Sequence, residues 1–126
     1  AVLAVARAAR EAAIDHFVAV SSIGADSRSR NLYLRTKGET DDALSALGFR
    51  RLDILRPGLL LGAREERRTG ERLAIRLDPL ARLLLPRRYA GIRAELVADA
   101  VLALLGHGEP GCFVHENAAI ERLAGR

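Results

Sequence analysis

The alternation of short apolar runs with amphipathic stretches constrains this chain more than any other feature of its sequence. The run at 16–22 has the length and composition of a buried strand, and two further strands are predicted at 51–56 and 112–115. Helical periodicity predicts helices over 1–14, 32–47, 71–85 and 94–105, and a last helix capped by Asn117. Strands that alternate with helices predict an α/β fold, with a parallel sheet covered by helices on both faces.

Length and the first residues limit how the chain is organised. Its 126 residues fit one domain, 1–126. The sequence has no Met and opens inside a helical pattern, so we expect the carboxyl-terminal portion of a longer protein. Acidic Glu11 and Asp15 follow too early for a secretory signal. The single Cys excludes an internal disulfide and favours an intracellular setting, which we take to be the cytoplasm.

The charge pattern argues against two classes of partner. A net charge of +4 suggests nucleic acid, but the Arg residues are scattered among Asp and Glu and form no basic helix face. No apolar run approaches the roughly 20 residues that span a bilayer, so no membrane partner is expected. Lys37 is the one Lys among 20 basic residues, which makes that position informative.

Two other motifs carry little weight. Residues 106–111, GHGEPG, match the dinucleotide fingerprint G-x-G-x-x-G. That fingerprint must follow a strand and open a helix, whereas here a helix precedes it and a strand follows. Cys112 and His115 are three residues apart, but two ligands without a second pair are weak support for a metal, and none is predicted.

Tyr33 and Lys37 are the strongest chemical signal. They stand four residues apart on a predicted helix and therefore share one face. A free Tyr has a pKa near 10, and an ammonium beside a phenol in a semi-buried site favours the phenolate. A compact ammonium can do this where a forked guanidinium cannot, which explains a Lys in an Arg-rich chain. The alternative is a surface Tyr packed on a Lys stem.

Ser21 and Ser22 end a predicted buried strand just before the Tyr helix. Ligands of open parallel sheets bind at the carboxyl ends of strands, where a Ser can donate to a carbonyl oxygen. The next strand ends at the same edge in the tight turn Arg56-Pro57-Gly58. The alternative is that both Ser side chains are ordinary strand-end caps.

The segments VSSIGADSRSRNLYLRTKGE and LDILRPGLLLGAREERRTGERL resemble the short-chain dehydrogenase/reductase superfamily. They are most similar to its atypical branch, which includes the Tat-interacting-protein oxidoreductases. The resemblance implies the carboxyl-terminal part of a doubly wound Rossmann fold, without the first strands and the glycine-rich turn. It makes Tyr33 the catalytic Tyr, Lys37 its partner, and Ser22 or else Ser21 the substrate-facing Ser.

The same resemblance implies the cofactor and the reaction. Pro57, Gly58, Leu60 and Arg68 match the segment by the nicotinamide, although Leu60 could equally be core and Arg68 a solvated charge. It implies an NAD(P)-dependent oxidoreductase acting on a small carbonyl substrate, with NADP favoured over NAD. The alternative is a dinucleotide-binding regulatory or interaction module. The chain alone is expected to bind dinucleotide weakly, and to be unstable or self-associate through an exposed sheet edge.

Overall fold

Three parallel strands, β1 (His16–Val20), β2 (Arg51–Arg56) and β5 (Gly111–Glu116), form the central sheet, with β2 in the middle. A second pair, β3 (Leu60–Leu61) and β4 (Ile92–Arg93), is also parallel. The computed structural model describes residues 1–58, 60–61 and 91–125. The expected helix over 71–85 and the residue Arg68 lie outside these ranges.

Helices cover both faces of the sheet. They are α1 (Val2–Glu11), α2 (Leu32–Ser45), α3 (Ala94–Leu104) and α4 (Asn117–Leu123). One buried cluster joins α1 and α2 to the sheet through Ala6, Leu44 and Leu52. A second joins α3 and α4 to the opposite face through Leu55, Leu104 and Ile120. The prediction of a mixed α/β structure with a helix-flanked parallel sheet is confirmed.

The central position of β2 explains its composition. Side chains alternate between the faces, so Leu52 and Ile54 contact α1 and α2, whereas Leu55 contacts the other layer. All residues from Arg51 to Leu55 are buried, as expected for a strand with neighbours on both edges and helices on both faces. Asp53 is a carboxylate in this buried strand, and it therefore needs partners.

Of the element boundaries that differ from the sequence prediction, two bear on the site. β1 ends at Val20, although the Ser21 amide still donates to the Leu55 carbonyl at 2.7 Å. Asn117 does not cap α4, because Glu116 occupies the cap position. The Asn117 side chain instead accepts a hydrogen bond from the Gly58 amide at 2.8 Å, which ties the start of α4 to the turn after β2.

The outer edge of β1 is open in the described part of the chain. β1 pairs with β2 alone among those strands, and Val20 at its end is 44% exposed. An open strand edge presents unpaired amide and carbonyl groups. Across the described residues, no helix has the length and apolar character needed to cross a membrane.

Candidate functional site

The site begins at the carboxyl edge of the sheet, where β1 and β2 end side by side. Past the strands, the Ile23 amide donates to the Pro57 carbonyl at 3.0 Å, so the two chain segments leave the sheet together. Pro57 is buried, and Gly58 is held through its amide by Asn117. The expected juxtaposition of the Ser pair with the Arg56-Pro57-Gly58 turn is therefore present.

The loop after β1 packs tightly on α2. Asn31 caps the helix, since its side-chain oxygen accepts from the Leu34 amide at 3.1 Å. At Gly38 a Cβ would lie 2.3 Å from the backbone of Asp26 and Ser27. Only Gly permits this close approach, because real Cβ atoms do not come within 3.0 Å of such atoms. Gly38 thereby fixes the loop against the helix next to Lys37.

Tyr33 and Lys37 lie on one side of α2 and contact each other. The Lys37 ammonium is 5.6 Å from the centroid of the Tyr33 ring, a cation–π distance. Tyr33 is nevertheless 60% exposed, whereas Lys37 is half-buried. The sequence predicted a semi-buried pair, and the described residues bury only the Lys, because α2 presents its first turn to solvent.

The two Ser residues have different surroundings. The buried Ser21 hydroxyl donates to Asp41 Oδ2 at 2.9 Å. The half-buried Ser22 hydroxyl donates to the carbonyl of its own neighbour, Ile23, at 3.2 Å. The Ser22 bond is local and easily exchanged, so Ser22 is the better placed of the two to turn to a ligand.

Asp41 is a buried carboxylate of the site that the sequence analysis missed. It is 3% exposed, and its Oδ2 accepts from Arg56 Nη2 at 3.1 Å and Nε at 3.2 Å as well as from Ser21. The signal was available in the sequence, because Asp41 follows Lys37 by four residues and so continues the Tyr33–Lys37 face of the helix.

An open cleft of about 170 Å³ lies between α1, α2 and the end of β1. Its floor is apolar, with Ala19 and Leu44, and its polar wall comes from α2 and from Ser21. The polar wall comprises Ser21, Thr36, Lys37, Thr40 and Asp41. The cleft therefore combines hydroxyl, ammonium and carboxylate groups beside an apolar surface, the mixture typical of small-molecule sites.

Of the remaining sequence candidates, Leu60 lies in β3, where it pairs with Ile92 of β4. Arg68 lies outside the described residues. Cys112 is exposed, and its sulfur lies 3.8 Å from the Ser45 hydroxyl. His115 points to the opposite face of β5 from Cys112, as alternation requires of residues three apart. Its Nε2 donates to Asp53 Oδ1 at 2.7 Å.

Asp53 is the centre of a second polar cluster, on the α3 and α4 side of the sheet. Arg51 donates to both of its oxygens, at 2.8 and 3.0 Å, and His16 donates to Oδ2 at 2.6 Å. With His115, the carboxylate receives four hydrogen bonds from three strands. Burial by itself raises the pKa of Asp53, but the bonds from Arg51, His115 and His16 outweigh it and lower that pKa below its usual value near 3.8.

Comparison with known proteins finds relatives for part of the chain. A protein named Fmp52, mitochondrial, from Emericella nidulans is 50% identical over 72 residues, which are 57% of this chain and 31% of that protein. A protein of the same name from Aspergillus clavatus is 53% identical over 66 residues, 52% of this chain and 28% of the relative. Fmp52-1, mitochondrial, from Scheffersomyces stipitis is 52% identical over 60 residues, 48% of this chain and 26% of the relative. No family profile matches the sequence.

These relatives correct two sequence predictions. The similarity to the branch of Tat-interacting-protein oxidoreductases was wrong, since the relatives are proteins named Fmp52. The cytoplasmic location was also wrong, because the relatives are named as mitochondrial, whereas the single Cys gave only a general argument for a reducing compartment. The matched stretches span less than a third of each of these relatives.

Proposed function

We propose that this chain carries the catalytic half of an NAD(P)-dependent oxidoreductase of short-chain type, which transfers hydride between a nicotinamide and a carbonyl or alcohol. The observation that carries the proposal is the contact of Lys37 with Tyr33 on the helix that follows β1, where Ser21 and Ser22 come directly after the strand. These groups gather at the carboxyl edge of a parallel sheet, where such folds bind ligands.

Each side chain has a role in the proposed reaction. In reduction, the Tyr33 hydroxyl donates its proton to the carbonyl oxygen of the substrate, and in oxidation the phenolate accepts it back. Ser22 donates a hydrogen bond to the same oxygen and orients it. Lys37 lies over the Tyr33 ring, and its N–H groups bind a sugar hydroxyl.

The donor set fits the nicotinamide end of a dinucleotide. Lys37 offers an ammonium in the wall of the open cleft, and Ser22 offers a hydroxyl past the end of β1; both groups are suited to ribose and amide oxygens. The bound nicotinamide would supply the hydride. We favour NADP over NAD, and Pro57 and Gly58 would form the backbone next to the ring. The described residues show no glycine-rich turn between a strand and a helix, so they account for this end of the cofactor alone.

The fold supports a finer assignment. The strand order β1-β2-β5, with all three strands parallel and helices on both faces, is compatible with one half of a doubly wound sheet. We propose that the three strands are the carboxyl-terminal strands of a Rossmann-type domain in the intact protein. We extend to it the mitochondrial location named for the Fmp52 relatives.

Steady-state oxidation of NADPH by the intact protein, with a panel of aldehydes and ketones, tests the proposal. Tyr33→Phe removes the transferable proton and Lys37→Arg replaces the compact ammonium, so each is expected to lower kcat by about 10²- to 10⁴-fold. Arg35→Lys, on the same helix, is the matched control and should leave kcat unchanged. A Lys37→Arg variant within about threefold of wild type would contradict the role given to Lys37.

A second candidate is a module that binds the dinucleotide with little turnover. It is favoured by the 60% exposure of Tyr33, since a solvated phenol gains little from a neighbouring charge. Calorimetry separates the candidates. Tight NADPH binding without oxidation of any carbonyl by the wild type, and no change with Tyr33→Phe, would support the binding module.

A further inference from the structure

Asp41 joins three elements of the candidate site. It belongs to α2, it accepts from Ser21 directly after β1 at 2.9 Å, and it accepts from Arg56 at the end of β2 at 3.1 and 3.2 Å. The carboxylate is buried, and its bond with the buried Ser21 hydroxyl is made away from competing water. Movement of α2 along the sheet edge would break all of them together.

The position of Asp41 on the helix couples it to the reacting groups. Asp41 follows Lys37 by one turn and Tyr33 by two, and residues spaced in this way lie on one side of a helix. A bond that holds Asp41 against the strand ends therefore fixes both the rotation of α2 about its axis and its position along that axis. The same bond sets where Tyr33 and Lys37 lie over the sheet edge.

Asp41 also distinguishes the two Ser residues. Its carboxylate engages the hydroxyl of Ser21, which lies between the edge of the sheet and α2. Ser22 instead bonds the carbonyl of its own neighbour, Ile23, at 3.2 Å, so its hydroxyl stays available to a ligand.

We infer that Asp41 is a positioning residue of this site, which aligns Tyr33 and Lys37 with Ser22 through its bonds to Ser21 and Arg56. The inference rests on the proposed function, because it assigns Asp41 no contact with substrate or cofactor. Small displacements of reacting groups cost large factors in rate, since a misplacement of about 1 Å can cost about 10²-fold.

The test compares three Asp→Asn variants of the intact protein. Asp41→Asn is expected to lower kcat by about tenfold to hundredfold, with the KM for the carbonyl unchanged. Asp42→Asn, an exposed neighbour on the same helix, carries the same charge change and should match wild type. Asp53→Asn removes a buried carboxylate elsewhere and should lower the unfolding midpoint while leaving kcat unchanged.

Asp41→Glu keeps the carboxylate and should retain more of kcat than Asp41→Asn, which a general loss of stability would not explain. If Asp41→Asn lowers kcat no more than Asp42→Asn, or changes only KM or the unfolding midpoint, the inference is wrong and the proposed function stands. If the wild type oxidises no NADPH, the proposed function fails and the inference fails with it.

Discussion

The sheet has a buried aspartate on each side, and the two are held very differently. Asp53 uses both oxygens and receives four hydrogen bonds, two of them from a buried Arg51. At Asp41 the three bonds from Ser21 and Arg56 all reach one oxygen, and its Arg56 partner is 24% exposed. Asp53 is thus a saturated link between three strands, whereas Asp41 borders an open cleft.

The difference suggests separate roles for the two carboxylates: Asp53 in the stability of the fold, and Asp41 in the candidate site. A carboxylate whose lone pairs are all occupied offers nothing to a ligand, and its conformation is fixed by its neighbours. A carboxylate at the wall of a cleft can transmit small movements to the groups beside it. We therefore expect changes at Asp53 to alter unfolding, and changes near Asp41 to alter the candidate site.

The largest effect is expected for Asp53→Asn. The substitution leaves Arg51 as a buried charge without a full counter-charge, and breaking a buried pair in this way costs about 3–5 kcal/mol. Asp41→Asn should cost less, because water can reach Arg56. Urea unfolding of both variants measures the difference, with Asp42→Asn as the control. Equal losses of unfolding free energy in Asp53→Asn and Asp41→Asn would contradict the difference between the two carboxylates.

A smaller effect, located at the site, is expected for Gly38→Ala. Ala gains about 1 kcal/mol over Gly inside a helix, but its Cβ would lie 2.3 Å from the backbone of Asp26 and Ser27. Overpacking typically costs about 1–3 kcal/mol, and a clash this close with backbone atoms belongs to the upper part of that range, so a net loss of about 1–2 kcal/mol is expected, together with lower activity.

Gly108→Ala is the matched control for Gly38→Ala, since a Cβ there meets nothing within 4 Å. It should change the free energy of unfolding by less than about 0.5 kcal/mol. An unchanged or raised stability of Gly38→Ala would mean that the loop withdraws from α2 without cost, and that the loop does not hold the site.

The sequence predicted the strands and helices of the sheet well because their patterns are local. Leu52, Ile54 and Leu55 give β2 its apolar positions, and Pro57 and Gly58 mark its end. The Tyr33–Lys37 contact was also predictable, since four-residue spacing on a helix is a local property.

The polar clusters were harder to predict because their partners are distant in sequence. Asp53 bonds His16 and His115, which are 37 and 62 residues away, and no local pattern pairs them. The available signal was an Asp in the middle of a buried strand, which must have partners. The prediction that Asn117 caps α4 was wrong for a similar reason, because its actual partner, the Gly58 amide, is 59 residues away.

The smallest effect is the loss of folding stability at acidic pH, which involves a single proton at Asp53. Its pKa is lower in the folded protein than in the unfolded chain, so the ionised carboxylate stabilises the fold. This contribution is fully present above the unfolded pKa, about 3.9, and is lost as the pH falls through the folded value. Unfolding of wild type measured through this acid range should show the loss, with a slope of at most about 1.4 kcal/mol per pH unit for one proton. Asp53→Asn should lack this part of the pH dependence and Asp41→Asn should keep it, and the reverse assignment would show that Asp41 is the more strongly stabilised carboxylate.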